Sequence, residues 1–261
     1  MKQWKLLYEF SSEFTAPATG HYFKLRCFPR ECTVQKCSSL RWSVRPAASC
    51  SFETDPFGNR LLFGCCEEAH ERFDIGLNAV VLKGAEPEAE PKAYYRLGML
   101  RTPTILTAMG PALTGFYGTV ENKENTAPWE RAGELMAALF DAFSYESQST
   151  DFTTTAEEAF SQGRGVCQDY AHIMLALCRR SGLTVRYVAG TIPGEGETHA
   201  WIEVWQDGFW KGFDPTHNRE ADDGYISFTV GRDAFDCEIN RGIFKDSFEK
   251  NQQVYVRMEE F

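Results

Sequence analysis

The chain of 261 residues carries 27 Lys+Arg against 37 Asp+Glu, a net charge of −10 with a pI near 5.1, which disfavours binding to a nucleic-acid backbone or an anionic membrane surface. At 43% hydrophobic, 25% charged and 14% aromatic residues, it has the composition of a chain that folds throughout, into one large domain or two modest ones. No run approaches the roughly 18 apolar residues of a membrane helix, and the opening MKQWKLLYEFSSEF breaks its apolar run with charge too early for a secretory leader. Nine cysteines, an odd number spread along the chain, point to free thiols and a cytoplasmic setting.

The first half reads as short strands in TGHYFKLRCF, SLRWSVRP, SCSFETD, RLLFGCCEE and ERFDIGLNAVVLKG, with aromatic and β-branched residues between turn signals. Asp55 to Asn59, DPFGN, is turn chemistry: Pro fixes one dihedral and Gly-Asn tolerates positive φ. Such strands predict an antiparallel sandwich or small barrel. The Pro- and Glu-rich segment GAEPEAEPKAYYRLG then reads as a linker or exposed excursion. Residues 1–105 hold 14 basic against 12 acidic side chains and residues 106–261 hold 13 against 25, which places a domain boundary near residue 105.

Beyond it the period changes. Trp129, Leu135, Met136, Leu139, Phe140 and Phe143 recur at helical steps and predict an amphipathic helix from Pro128 to Phe143. TAEE at 155–158 can open a short helix through a Thr cap and an acid three residues on. VCQDYAHIMLALCRR, residues 166–180, reads as a buried helix ended by Arg179, Arg180 and Gly182. TVRYVAG, HAWIEVWQ and GFWKGFDP follow as strands, the last two joined by an Asp207-Gly208 hairpin. Helices followed by an antiparallel sheet make an α+β domain.

One cysteine stands apart. Gly163-Arg164-Gly165-Val166 delivers Cys167 to a helix start, where unpaired N–H groups and the positive end of the helix dipole favour a thiolate and an adjacent oxyanion. A thiolate nucleophile needs a proton acceptor that later acts as an acid, and His199 at the head of HAWIEVW suits both tasks. Asp214 in FDPT, on the next strand, can fix the imidazole tautomer.

The motifs GVCQDYA, HAWIEV and FDPTHN, in that order across about residues 125–220, resemble the transglutaminase-like superfamily of papain-type cysteine enzymes. The resemblance implies a papain-like α+β core with Cys167 as nucleophile, His199 as base and Asp214 as orienting acid. DPFGN in a β-rich region and the later YISFTVGRDAFD resemble the bacterial members in which a β domain precedes the core. The fold expected is therefore an N-terminal antiparallel β-sandwich-like domain, residues 1–105, before a transglutaminase-like catalytic domain, residues 106–261. The expected activity is acyl transfer from an amide or peptide, free or within a protein, through a thioester that water resolves. Two alternatives are a protein cross-linking transglutaminase and a protein-binding module with an occluded triad.

Other candidates take plainer roles. His172 reads as a packed or surface histidine, His217 as a residue of the cleft wall, and Asp169 as a cap on the first turn of its helix. Trp201, Trp205 and Trp210 read as core or cleft wall, and the acidic PGEGET loop as solvated. Cys65-Cys66 with His70 lacks a second ligand pair, and no calcium or phosphate loop occurs, so neither metal nor cofactor is expected.

Overall fold

A computed structural model describes residues 1–90, 94–120 and 125–261. Of the first strand, β1 (Lys2–Leu25), only the end was expected, in TGHYFKLRCF; its opening is a strand as well, with Trp4, Leu6, Tyr8, Phe10, Ser12 and Phe14 buried at every second position. β2 (Gln35–Arg45), β3 (Ser49–Thr54), β4 (Arg60–Cys66) and β5 (His70–Lys83) follow the expected runs closely. The first part of β1 pairs with β5, and β5 with β2; past an irregularity after Glu13, β1 switches partner and residues His21–Leu25 pair with β4, which pairs with β3. One long strand thus serves two sheets, whose inner faces enclose an apolar core including Phe10, Phe23, Phe73 and Leu77.

The Pro- and Glu-rich segment departs from the linker expectation. Glu88–Ala89 form a short strand, β6, and Tyr94–Arg101 a helix, α1; residues 91–93 lie outside the described residues. Glu88 is buried because Arg30 grips both its carboxylate oxygens and Arg186 donates to one of them at 2.7 Å. Arg186 also bonds Glu203 and Glu90 and lies 4.2 Å from the centre of the Trp210 ring. Composition alone could not reveal these partners, each of which comes from another part of the chain.

After α2 (Pro111–Thr119) and α3 (Pro128–Ala142), a short β7 (Ser144–Tyr145) runs parallel to β8 (Arg164–Gly165), with α4 (Ala156–Gln162) between them. Thr155 and Glu158 form the reciprocal cap expected from TAEE. The buried helix α5 (Cys167–Arg180) then leads to β9 (Val185–Thr191), β10 (Gly194–Gly196), β11 (His199–Gln206), β12 (Phe209–Asp214), β13 (Arg219–Glu220) and β14 (Ile226–Gly231). The sheet of the α+β core runs β13-β12-β11-β9-β14, with β6 joining beside β12. Asp207 and Gly208 both take positive φ, 51° and 96°, as a tight hairpin requires.

The chain then returns to where it began. β15 (Asn240–Lys245) and β16 (Glu249–Glu260), which the sequence reading placed with the second half, both pair with β1, and β10 of the PGEGET loop pairs with β16. The outer edge of β14 meets side chains instead of a strand. Gln35 exchanges two hydrogen bonds with the Ser227 backbone, at 2.8 and 2.9 Å, and Asn59 does the same with Val230, at 2.7 and 2.8 Å. Asn59 is the last residue of the DPFGN turn, held by Asp55, whose carboxylate accepts from the Phe57 and Asn59 amides. The architecture is an antiparallel β-sandwich region joined to a papain-like α+β core.

Candidate active site

The chain reaches Cys167 through a tightly determined approach. Gly163 ends α4 in the left-handed region at φ 72°, which a side chain would disfavour. The β7–β8 pairing then fixes Arg164 and Gly165, and the Val166 amide donates to Asp169 Oδ2 at 2.7 Å. Thr150 Oγ1 donates to the same oxygen at 2.6 Å, so Asp169 is the expected cap, and it is fully buried. A Cβ on Gly165 would stand 2.5 Å from that oxygen, so only glycine lets the cap close. Cys167 is the first helical residue, half-buried, and its N–H and that of Gln168 lie in the turn that has no intrahelical acceptors.

The strands supply the partners. On β11, Ala200, Ile202 and Val204 join the core formed with α5, whereas Trp201 packs on the opposite face with Tyr225. His199 shares the parity of Trp201. The β11–β12 register, which sets Ile202 opposite Phe213, puts Asp214 opposite Trp201 and diagonal to His199 on one face. His199 Nε2 donates to Asp214 Oδ2 at 2.8 Å, and the Cys167 side chain bonds the same imidazole, for which Nδ1 is the remaining nitrogen. Trp201 stacks beside the His199 ring at 6.2 Å between centroids. Cys167, His199 and Asp214, which come from separate elements, are therefore brought together.

Electrostatics polarise this row. Burial disfavours charge on His199, but the hydrogen bonds to Asp214 and Cys167 outweigh it and raise the imidazole from 6.5 to about 9. Asp214 is fully buried, which by itself would raise its carboxyl. Hydrogen bonds from His199, Tyr225 and His217 hold it far below the usual carboxylate range instead. Three donors converge on Oδ2: His199, the Tyr225 hydroxyl at 2.7 Å and His217 Nδ1 at 2.7 Å. The Thr216 amide donates to Oδ1 at 3.0 Å.

His217, expected at the cleft wall, is thus a direct partner of Asp214, with its side chain 44% exposed. Tyr225 was missed. It is buried, and its oxygen accepts from Arg219 Nε at 2.7 Å while its hydroxyl donates to Asp214. His217 reaches Asp214 from only three residues on, but nothing local in THNREADDGY marks Tyr225, whose relation to Asp214 is created by the turn back into β14. His172, by contrast, is packed inside the core, where its Nε2 accepts from the Ala234 amide at 3.2 Å.

The profile of the transglutaminase-like superfamily matches residues 117–215, which contain GVCQDYA, HAWIEV and the FDP that opens the third motif, and that of the bacterial transglutaminase-like N-terminal region matches residues 5–82. The chain belongs to the transglutaminase-like superfamily. An uncharacterised protein of Mycobacterium leprae is 27% identical over 252 residues, 88% of this chain and 89% of its own. Another from Mycobacterium tuberculosis is 29% identical over 270 residues, 89% and 84%. A candidate cysteine protease from Cytophaga hutchinsonii has the same fold, with a TM-score of 0.79 over 100% of this chain and 91% of that one, at 18% identity. No described helix is long and apolar enough to cross a membrane.

Proposed function

We propose that this superfamily member is a cytoplasmic cysteine peptidase or amidase. The observation that carries the reading is His199, hydrogen-bonded to a buried carboxylate on one side and to the cysteine at a helix start on the other. In the proposed reaction His199 Nδ1 takes the Cys167 proton and the thiolate adds to the amide carbonyl. The resulting oxyanion faces the unpaired N–H groups at the start of α5. His199 returns its proton to the amine as the C–N bond breaks, leaving a thioester. A water then gives its proton to His199, its oxygen displaces the thiolate, and the acid leaves.

Hydrolysis is favoured over transfer because the loops beside the triad are polar: PGEGET and THNREADDG supply no apolar lid to exclude water. A cytoplasmic setting is supported by nine cysteines that are all free. The test follows acid release and amine incorporation together from peptide and amide donors, with a primary amine present. Wild type should release chiefly acid, and Cys167→Ala should be inert yet folded. Retained turnover in Cys167→Ala would refute the nucleophile, and predominant amine incorporation would make the enzyme a transferase.

A further inference from the structure

A second cluster of chemically capable side chains lies in the sandwich, away from the triad. The antiparallel register sets His21 of β1 directly opposite Cys66 of β4, so their side chains share a face. His70, at the start of β5, points into the same space. His21 Nδ1 and His70 Nε2 are 2.9 Å apart, and the two ring nitrogens and Cys66 Sγ all lie within 4.8 Å of one another. All three residues are buried. The sequence offered only Cys65, Cys66 and His70 there; the strand pairing adds His21 from far upstream.

We infer that His21, Cys66 and His70 form a binding site for one zinc-like divalent ion, with a fourth position left open. The donor set, one thiol and two imidazoles, is the kind zinc prefers, and drawing the three atoms onto a tetrahedral ion requires shifts of about 1 Å. His70 is already in the correct tautomer: its Nδ1 donates to the Glu68 carbonyl at 2.8 Å, which leaves the Nε2 lone pair for the ion. Phe14 and Phe73 pack edge-on around His21, giving the site a dry wall. His21 also lines a cavity of about 410 Å³, a route in, where Glu249 adds an acidic group beside the Glu238–Arg241 ion pair.

Binding would exchange one set of bonds for another. The His21–His70 hydrogen bond breaks, and the His21 ring hydrogen moves from Nδ1 to Nε2. That nitrogen faces Gly242, where a Cβ would come within 2.8 Å, so the glycine keeps room beside it. The Cys66 thiol gives its proton to solvent, and two nitrogens and one thiolate bind the ion.

The test uses the full chain, reduced and stripped by chelator, titrated with Co²⁺ alone and then with Zn²⁺ alone. One equivalent of Co²⁺ should give a thiolate-to-cobalt charge-transfer band that Zn²⁺ abolishes by displacement. Cys66→Ser, nearly isosteric, should remove the band; His70→Ala should weaken binding by about 100-fold or more, the upper end of what even an indirect partner of a metal costs. Cys167→Ala should keep the band, which separates this site from the His199, Asp214 and His217 cluster. Melting curves check that each variant folds, and Cys66→Ser decides if His70→Ala does not. No band in wild type, a band surviving Cys66→Ser, or one lost in Cys167→Ala would overturn the inference.

Discussion

The rise of His199 to about 9 can be tested without knowing the substrate, because iodoacetate, an anion, is drawn to the charged ring beside Cys167 and the rate at which it alkylates that cysteine falls as the imidazolium loses its proton. From the ordinary 6.5, that rise is about 3 kcal/mol of preference for the charged ring, net of a burial that opposes it. The hydrogen bond to Asp214 is the foremost of the causes that raise it. Asp214→Asn keeps the shape but removes the charge. It also has one acceptor oxygen where the carboxylate has two: if that oxygen faces His199, Tyr225 and His217, the new NH₂ meets the Thr216 amide at about 3 Å, donor against donor. His199 should therefore fall toward or below 6.5, and the alkaline limb of the alkylation profile, expected near 9 in wild type, should move down with it. At pH 7.5 the rate should drop by about 10- to 100-fold, each pH unit being tenfold in the ion-pair population. An unchanged alkaline limb in Asp214→Asn would refute the view that this carboxylate holds the charge on His199.

His199→Ala should approach the inactivity of Cys167→Ala, and the double variant should be no worse than either single one, since the residues act as a unit; steady-state turnover checks this, and additive losses would count against it. Gly165→Ala should push Asp169 off the Val166 amide, because its Cβ would lie 2.5 Å from Oδ2; a lower melting temperature together with slower Cys167 alkylation is the expected readout. His172 is lowered to about 3 by burial and by the nearby Arg179, so the native state keeps it neutral while the unfolded chain charges it near 6.5. Its contribution to stability is present above pH 6.5 and is lost as pH falls toward 3, so His172→Gln should flatten the acid limb of melting temperature against pH.

What was legible in the sequence was local. A glycine-bounded cysteine at a helix start, a histidine heading one strand and an aspartate closing the next each carry their chemistry within a few residues, and the structure brings these side chains into one row. The strand nature of the opening is visible in the alternation of Trp4, Leu6, Tyr8 and Phe10, one face of β1. Glu88 lies in a segment that reads as a linker or exposed excursion, yet it is buried, its charge neutralised by Arg30 and Arg186, side chains brought in by tertiary contacts. Tyr225 on Asp214, and His21 opposite Cys66, depend on strand register, which no local window contains.

The side chains of Gln35 and Asn59 read the outer edge of β14 as a neighbouring strand would, through four hydrogen bonds. An α+β core cut free of the sandwich would present that edge bare, with Ser227 and Val230 offering their backbone groups to any passing chain and Ile226 and Phe228 stripped of apolar cover. The two halves are thus not interchangeable parts: a chimera that borrows its core from a relative must keep these two amides in register with the new strand, or it will trade a folded chain for self-association.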